Sequence, residues 1–279
     1  MKIGFIDYFL DEFHANHYPA WLREASGGEM EVLYAFAEID SPRGGLTTDQ
    51  WCAAHAIQRI SAIEEIVEKS DALVVLSPDN PERHEALCQL PLQSGKRVYV
   101  DKTFADTGEA ARRLFALAKA HGTPCYSASA LRFAEEYRGI DASRVENIGS
   151  WGPGPLGGYS VHQIEPVVAL MGPDASRVRS IGTEKWPAYV CAFRDGRQAV
   201  FSHHGEGCPF GMAVDYADGR MKHIAVTSSL FTGFIAELVD FFRTGEVKAP
   251  HAETIAIMAI REAALKAAQA PGQWVRANA

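Results

Sequence analysis

The strongest constraint in this sequence is an alternation that runs through its first half. Short apolar runs of strand length take turns with stretches whose apolar residues recur at helical spacing. Lys2 to Asp7 is the first strand-like run and Glu31 to Ala37 the second. Ala54 to Lys69 carries Ile57, Ile60, Ile63 and Val67 as a helical stripe. Asp71 to Ser77 gives a third strand, Pro81 to Ser94 a helix, and Lys96 to Asp101 a fourth strand. Asp106-Thr-Gly-Glu109 has the form of a capping box and opens a helix with Ala110, Leu114 and Leu117 on one face. Thr123 to Ser127 gives a fifth strand. Strands and helices in alternation imply right-handed crossovers and a parallel sheet covered on both faces. Ligands of such sheets bind beyond the carboxyl ends of the strands. The positions to watch are Asp7 to Phe9, Glu38 to Asp40, Ser77 to Asn80 and Asp101 to Thr103.

The second half follows another rule. A Gly/Pro-rich stretch, Gly149 to Gly158, precedes a helix over Tyr159 to Met171 that Gly172-Pro173 ends. Short strand-like runs follow at 188–194, 198–204, 212–216 and 223–226, with Asp195-Gly196 and Asp218-Gly219 as hairpin dipeptides. Two helices close the chain. One carries Phe231, Phe234, Leu238 and Phe241 in register, and the other runs from Glu253 to about Gln269. The fold class expected is α/β: a Rossmann-type parallel-sheet domain over 1–127, then an α+β domain over 128–279 with a mainly antiparallel sheet. That second sheet is the expected route to a homo-oligomer.

The chain has 279 residues and a formal net charge of −8. Such a balance argues against a nucleic-acid groove or an anionic membrane surface as partner. No stretch reaches the roughly 20 apolar residues needed to span a bilayer. The opening Met1-Lys2-Ile3-Gly4-Phe5-Ile6 leads into a strand without the small-residue cleavage site of a secretory leader. Five cysteines, Cys52, Cys88, Cys125, Cys191 and Cys208, lie scattered with no C-x-x-C spacing. Free thiols in a reducing cytoplasm are expected.

The segments Asp71-Ala-Leu-Val-Val-Leu-Ser-Pro-Asp-Asn-Pro-Glu-Arg-His84, Gly95-Lys-Arg-Val-Tyr-Val-Asp-Lys-Thr103 and Ala118-Lys-Ala-His-Gly-Thr together resemble the Gfo/Idh/MocA family. These are the relatives of glucose–fructose oxidoreductase and inositol dehydrogenase. The stretch from Gly158 to Gly172, with its His162, is similar to the family's Asp-x-Gly-x-His helix. The resemblance spans nearly the whole chain. It implies an NAD(P)-dependent oxidoreductase passing hydride to or from a sugar, polyol or related hydroxy-compound. A lyase or hydrolase working through transient oxidation is the alternative within enzymes. A relative that binds a sugar or a partner without turnover is the alternative outside them.

Three departures from the family pattern stand out. The loop after the first strand reads Asp7-Tyr-Phe-Leu-Asp-Glu-Phe-His14, without the glycines that let backbone approach a pyrophosphate. An acid about 6 Å from a phosphate, at an effective dielectric near 20, costs roughly 3 kcal/mol, on the order of a hundredfold in affinity. His14 and His17 offset part of this. Second, Asp101-Lys102-Thr103 stands in place of Glu-Lys-Pro. Third, Gly158 stands where the family's helix has Asp.

The resemblance implies that Lys102 hydrogen-bonds the reacting hydroxyl and that His162 is the general acid or base on it. Tyr159 or Glu165 is expected to take over from the missing Asp as partner of His162. On the cofactor side it implies NAD or NADP held by Asp7, Phe9, Asp40, Ser77, Pro78, Asn80, His84, Asp101 and Lys102. Asp40 or Glu38 favours NAD through the ribose diol, and Arg43 keeps NADP open. Arg132 can reach an anionic substrate or cofactor, or sit in an ion pair. The run His203-His204-x-Glu206-x-Cys208 looks metal-like, but neighbours on a strand face opposite ways. No metal is therefore expected, and His203 is left as a substrate-pocket candidate.

Overall fold

Gly4 decides how the first strand meets its covering helix. An added Cβ there would lie 2.4 Å from Ser70 Oγ and 2.8 Å from Ile66 Cγ1. Helix and strand therefore approach to glycine distance, and the apolar run Ile3 to Ile6 is sealed. This computed structural model describes residues 1–278. The elements in its first part are β1 (Lys2–Asp7), α1 (Phe13–Ala25), β2 (Glu31–Ala37), α2 (Thr48–His55), β3 (Gln58–Arg59), α3 (Ile63–Lys69) and β4 (Ala72–Val75). Then come α4 (His84–Leu87), α5 (Gln89–Gln93), β5 (Arg97–Val100), α6 (Gly108–Ala120) and β6 (Cys125–Tyr126). The six strands form one sheet in the order β3-β2-β1-β4-β5-β6, every pair parallel. This is the doubly wound Rossmann order, whose ligand crevice lies outside the strand ends beside β1 and β4.

The second sheet is built from β7 (Val145–Pro153), β8 (Ala175–Ser180), β9 (Ala188–Phe193), β10 (Gln198–His204), β11 (Gly211–Tyr216), β12 (Met221–Ala225) and β13 (Trp274–Arg276). The helices of this part are α7 (Leu156–Met171), α8 (Leu230–Thr244) and α9 (His251–Gln269). The order is β12-β11-β7-β10-β9-β8-β13, with only β7 and β10 parallel. The chain divides into two compact units. The first takes 1–105, 112–127 and also 235–249; the second takes 106–111, 128–234 and 250–279. Within the first unit, the Phe241 ring meets Tyr126 edge-on at 4.9 Å and Arg97 donates to the Phe242 carbonyl at 2.5 Å.

Three elements differ from the sequence expectation. Helix α1 was not foreseen, since its buried side is His14, Ala15, Tyr18 and Leu22, a polar-aromatic stripe interrupted by Pro19. The helix expected over 54–69 is broken: Ala56 turns left-handed with φ 55°, and buried Ile57 and Ile60 belong to the segment around β3. The Gly/Pro-rich stretch largely forms β7, which joins β10 to β11. Its glycine content has a packing cause, because a Cβ on Gly152 would sit 2.5 Å from the Phe210 ring. None of the five cysteines is in a disulfide. Among the described residues, no helix is long and apolar enough to cross a membrane.

Candidate functional site

The carboxyl ends of β1, β4 and β5 gather a buried polar cluster. Asp7 is 1% exposed. Its Oδ1 accepts from the Tyr8 N–H at 2.7 Å and from Ser77 Oγ at 3.0 Å, while Oδ2 is buried without a partner. Burial first, and then the charge of Glu12, raise its carboxyl well above the usual range. Ser77 holds this corner with φ 67°, a left-handed backbone that few non-glycine residues adopt. It also accepts from the Tyr8 N–H at 2.9 Å, so its strained turn fastens the end of β1 to that of β4.

At the end of β5, Asp101 is bonded to His14 Nδ1 and accepts from Tyr99 Oη at 3.1 Å. His14 stacks on Tyr18 with ring centroids 4.9 Å apart. Burial pushes Asp101 up, but His14 and Lys102 more than offset it, and the carboxyl ends below its usual range. Lys102 follows immediately and is only partly buried, so a cation stands at the strand end beside an ionised acid.

The residues expected to touch a cofactor separate into two groups. Asp7, Phe9, Ser77, Pro78, His84 and Asp101 are buried; Asp40, Asn80 and Lys102 keep exposure. His84 is withdrawn from any ligand role. It is fully buried, Nδ1 bonds the Phe104 carbonyl at 3.0 Å, and Nε2 bonds the Leu76 carbonyl. It ties α4 to β4, which is a structural duty. Phe9 likewise sits in the core at 4% exposure, with Arg43 5.4 Å over its ring. Asp40 Oδ1 accepts the Thr48 N–H at 2.7 Å, and this bond pulls its carboxyl down. Glu38 forms a forked pair with Arg83 at 2.8 and 2.7 Å, and Asn80 donates to Glu82 at 2.8 Å.

In the second unit, α7 presents His162 and Glu165 one turn apart. Ser129, fully buried, stands between them. Its Oγ is 2.7 Å from His162 Nδ1 and accepts the Leu131 N–H at 3.2 Å, while its own N–H bonds Glu165. The Ser129 hydroxyl thus bridges the Leu131 N–H and the His162 ring, and holds the imidazole by its Nδ1. Of the two residues expected beside His162, Tyr159 meets the imidazole edge-on at 5.7 Å, and Glu165 is paired with Arg132 at 3.0 Å. Arg132 also bonds Glu253, so its guanidinium is spent on an ion triad. Burial pushes Glu165 up to about 7 against the pull of Arg132. Arg261 donates twice to the Gly157 carbonyl, at 3.1 and 2.9 Å, and so anchors the first turn of α7.

Among the described residues of this unit, four buried polar atoms have no partner: Ser160 Oγ, Gln163 Oε1, Arg179 Nε and His203 Nε2. An unmet buried donor or acceptor costs about 1–3 kcal/mol, so these atoms favour a hydroxylated neighbour or water. His203 faces inward at 3% exposure, with Nδ1 3.0 Å from the Gly154 carbonyl, while His204 is exposed. Nothing lies within 4 Å of a Cβ placed on Gly158.

Sequence reasoning missed Ser129, Glu253 and the capping role of Glu12. Only Glu12 left a signal, as an acid just ahead of a helical stripe.

Residues 9–129 match the Gfo/Idh/MocA sequence model, described as an oxidoreductase family with an NAD-binding Rossmann fold. The whole chain shares the fold of solved dehydrogenase structures at low identity. A myo-inositol dehydrogenase from Lactobacillus casei, solved with NAD(H) and myo-inositol, superimposes with a TM-score of 0.81 at 12% identity. That match covers 100% of this chain and 97% of the other. GenD2 from gentamicin A biosynthesis, solved with NAD, gives 0.76 at 16% identity over 100% and 97%. The UDP-N-acetylglucosamine 3-dehydrogenase GnnA from Acidithiobacillus ferrooxidans gives 0.74 at 14% identity over 97% of each chain. No curated protein matches the chain in sequence. Within the Gfo/Idh/MocA segment, NAD or NADP is the matching cofactor class. Lys102 follows β5 and the acids Glu38 and Asp40 follow β2, all on the carboxyl side of the sheet. The glycine-free turn after β1 does not yet offer the pyrophosphate a place.

Proposed function

We propose that this chain is an NAD(P)-dependent oxidoreductase acting on a secondary hydroxyl of a sugar, polyol or related compound. The observation that carries the reading is Lys102, a cation at the carboxyl end of a parallel sheet whose sequence matches an NAD-binding oxidoreductase family. The bound nicotinamide supplies the hydride acceptor: the carbinol carbon gives up a hydride, its hydroxyl gives up a proton, and the products are a ketone and NAD(P)H. The protein's part is the proton. Lys102 hydrogen-bonds the substrate oxygen and lowers the cost of its developing negative charge. On the second unit, His162, held at Nδ1 by Ser129, is the candidate general acid or base. The unpartnered Ser160, Gln163 and His203 atoms are hydroxyl-binding candidates on the second unit.

Two of the similar solved structures support a sugar-like substrate, one a myo-inositol dehydrogenase bound to myo-inositol and the other a dehydrogenase of UDP-N-acetylglucosamine. Two copies pairing through the second sheet belong to the same reading. The test is a thermal-shift and calorimetric titration with the four nicotinamide nucleotides, followed by a polyol and sugar panel read at the NAD(P)H absorbance. A true cofactor at a hundred times its dissociation constant stabilises by about 2.7 kcal/mol. Absence of binding at millimolar nucleotide under every condition tried defeats the reading. One observation favours a second reading, a sugar- or partner-binding protein without turnover: the N-cap of α1 is an acid, Glu12, whose carboxylate already accepts backbone N–H groups of the helix start. Binding of a polyol without any nucleotide would select it.

A further inference from the structure

In a Rossmann sheet the pyrophosphate sits on the first turn of the helix after β1, where free backbone N–H groups and the helix dipole favour an anion. Here that turn already holds one. Glu12 is the N-cap of α1. Its carboxylate accepts the His14 N–H at 2.7 Å and the Ala15 N–H. These are the donors that a helix start of this kind would offer to phosphate oxygens. The carboxylate is no surface ornament, since Glu12 is 6% exposed. A second observation comes from β1: the buried Asp7 Oδ2 has no partner, and Asp7 is raised by the charge of Glu12. The nearby cations are engaged elsewhere, Arg83 with Glu38 and Arg43 with Asp79 at 2.7 Å.

We infer that Glu12 is a resident anion in the pyrophosphate seat, and that a nicotinamide dinucleotide binds only as Glu12 is neutralised or swings out. The inference rests on the dinucleotide-binding reading above. It makes Glu12 the residue that sets cofactor affinity, a role the glycine-containing form of the loop has no need of.

The groups that act on Glu12 are Asp7 from β1, His14 and Tyr18 from α1, and Asp101 from the end of β5. Burial raises the carboxyl to about 7, with Asp101 adding to it, while His14 and the two backbone bonds hold it down. A raised acid is neutral on the low-pH side. The seat is therefore open to an anion below about pH 7 and closed above it. If only the neutral form admits the nucleotide, apparent affinity falls in proportion to the competent fraction, about tenfold from about pH 6 to about pH 8.

The experiment is calorimetric titration of the intact protein with NAD⁺ and with ADP-ribose, which carries the pyrophosphate but no nicotinamide. It is run near pH 6 and near pH 8 for wild type, Glu12→Gln and Glu12→Ala, each checked by circular dichroism. Expected is wild-type affinity for both ligands about tenfold weaker at the higher pH, and a flat, tight profile for Glu12→Gln. If variants bind ADP-ribose more tightly while no form binds NAD⁺, the seat inference stands and the dehydrogenase reading falls. Wild type binding NAD⁺ equally at both pH values, with the variants unchanged, overturns the inference and leaves the dehydrogenase reading intact. Failure of every protein to bind ADP-ribose at millimolar concentration overturns it too. Should both variants misfold, the wild-type pH titration alone decides.

Discussion

Removing Arg132 should unlock the second unit in a pH-dependent way. Arg132 is 12% exposed and lies between Glu165, 3% exposed, and Glu253, 17% exposed. Arg132→Met deletes the cation and leaves a buried carboxylate behind, a change that costs about 3–5 kcal/mol. At roughly 2–4 °C per kcal/mol for a chain of this size, the melting temperature should fall by about 6–20 °C. Glu165 supplies the sign of the pH effect. Burial raises its folded pKa from 4.5 to about 7. A raised acid stabilises the fold fully below its unfolded pKa, and that contribution is lost as pH rises through the folded value. Wild type should therefore lose this contribution up to about pH 7 and then level off. In the variant the carboxyl climbs higher still, so the loss continues and the gap to wild type widens toward pH 8. Urea unfolding near pH 6 and near pH 8, followed by circular dichroism and tryptophan fluorescence, measures it. The double variant Arg132→Met with Glu165→Met should recover most of the loss, because no buried charge remains. A single-variant cost below about 1 kcal/mol, or a gap that narrows with rising pH, would refute the argument.

Other outcomes follow from the same geometry. Lys102→Met should remove most turnover on an identified substrate while leaving the melting temperature nearly unchanged; wild-type turnover would exclude a catalytic role. His162→Asn should lower kcat by about 10²-fold or more, the scale of a lost general acid or base. Ser129→Ala should act more weakly than His162→Asn, and chiefly on kcat, because it removes the hydroxyl that holds the imidazole at Nδ1; a change confined to KM would contradict that. Gly158→Asp should fold, since nothing crowds the position, and should leave activity on simple polyols no better; a gain would show that His162 lacks a carboxylate partner.

The parallel unit was legible because its strands are continuous apolar runs, such as Ile3 to Ile6 and Ala72 to Leu76, all buried in the structure. Period and length suffice for such strands. Lys102 and Asp101 were locatable for the same reason, as the residues that close the run Val98 to Val100. Helix α1 was hidden because histidine and tyrosine do the work of aliphatic residues on its buried side. Strand β7 was hidden because its inward positions include Ser150 and Gly152, which a hydropathy reading scores as loop. The missing partner of His162 was sought along α7, where helical spacing points. It came instead from Ser129, 33 positions earlier in the chain. No local pattern encodes a contact of that range. Pairing Arg132 with Glu165 across the same interval likewise depends on the fold being in place.

The late segment 235–249 has a consequence for how this protein is made. It belongs to the first unit, where Phe241 seats against Tyr126 and Arg243 reaches Glu29 at 2.8 Å. A ribosome that has released residue 127 has not released what closes that unit. At about 5–20 residues per second, the missing segment arrives roughly 6–24 s later. Through that interval the nascent sheet carries an aromatic face that only its own distant C-terminal region can cover. A gene fragment ending at residue 127 would leave that face bare permanently. The unit that looks most self-contained in the sequence is thus one that cannot finish from its own contiguous stretch.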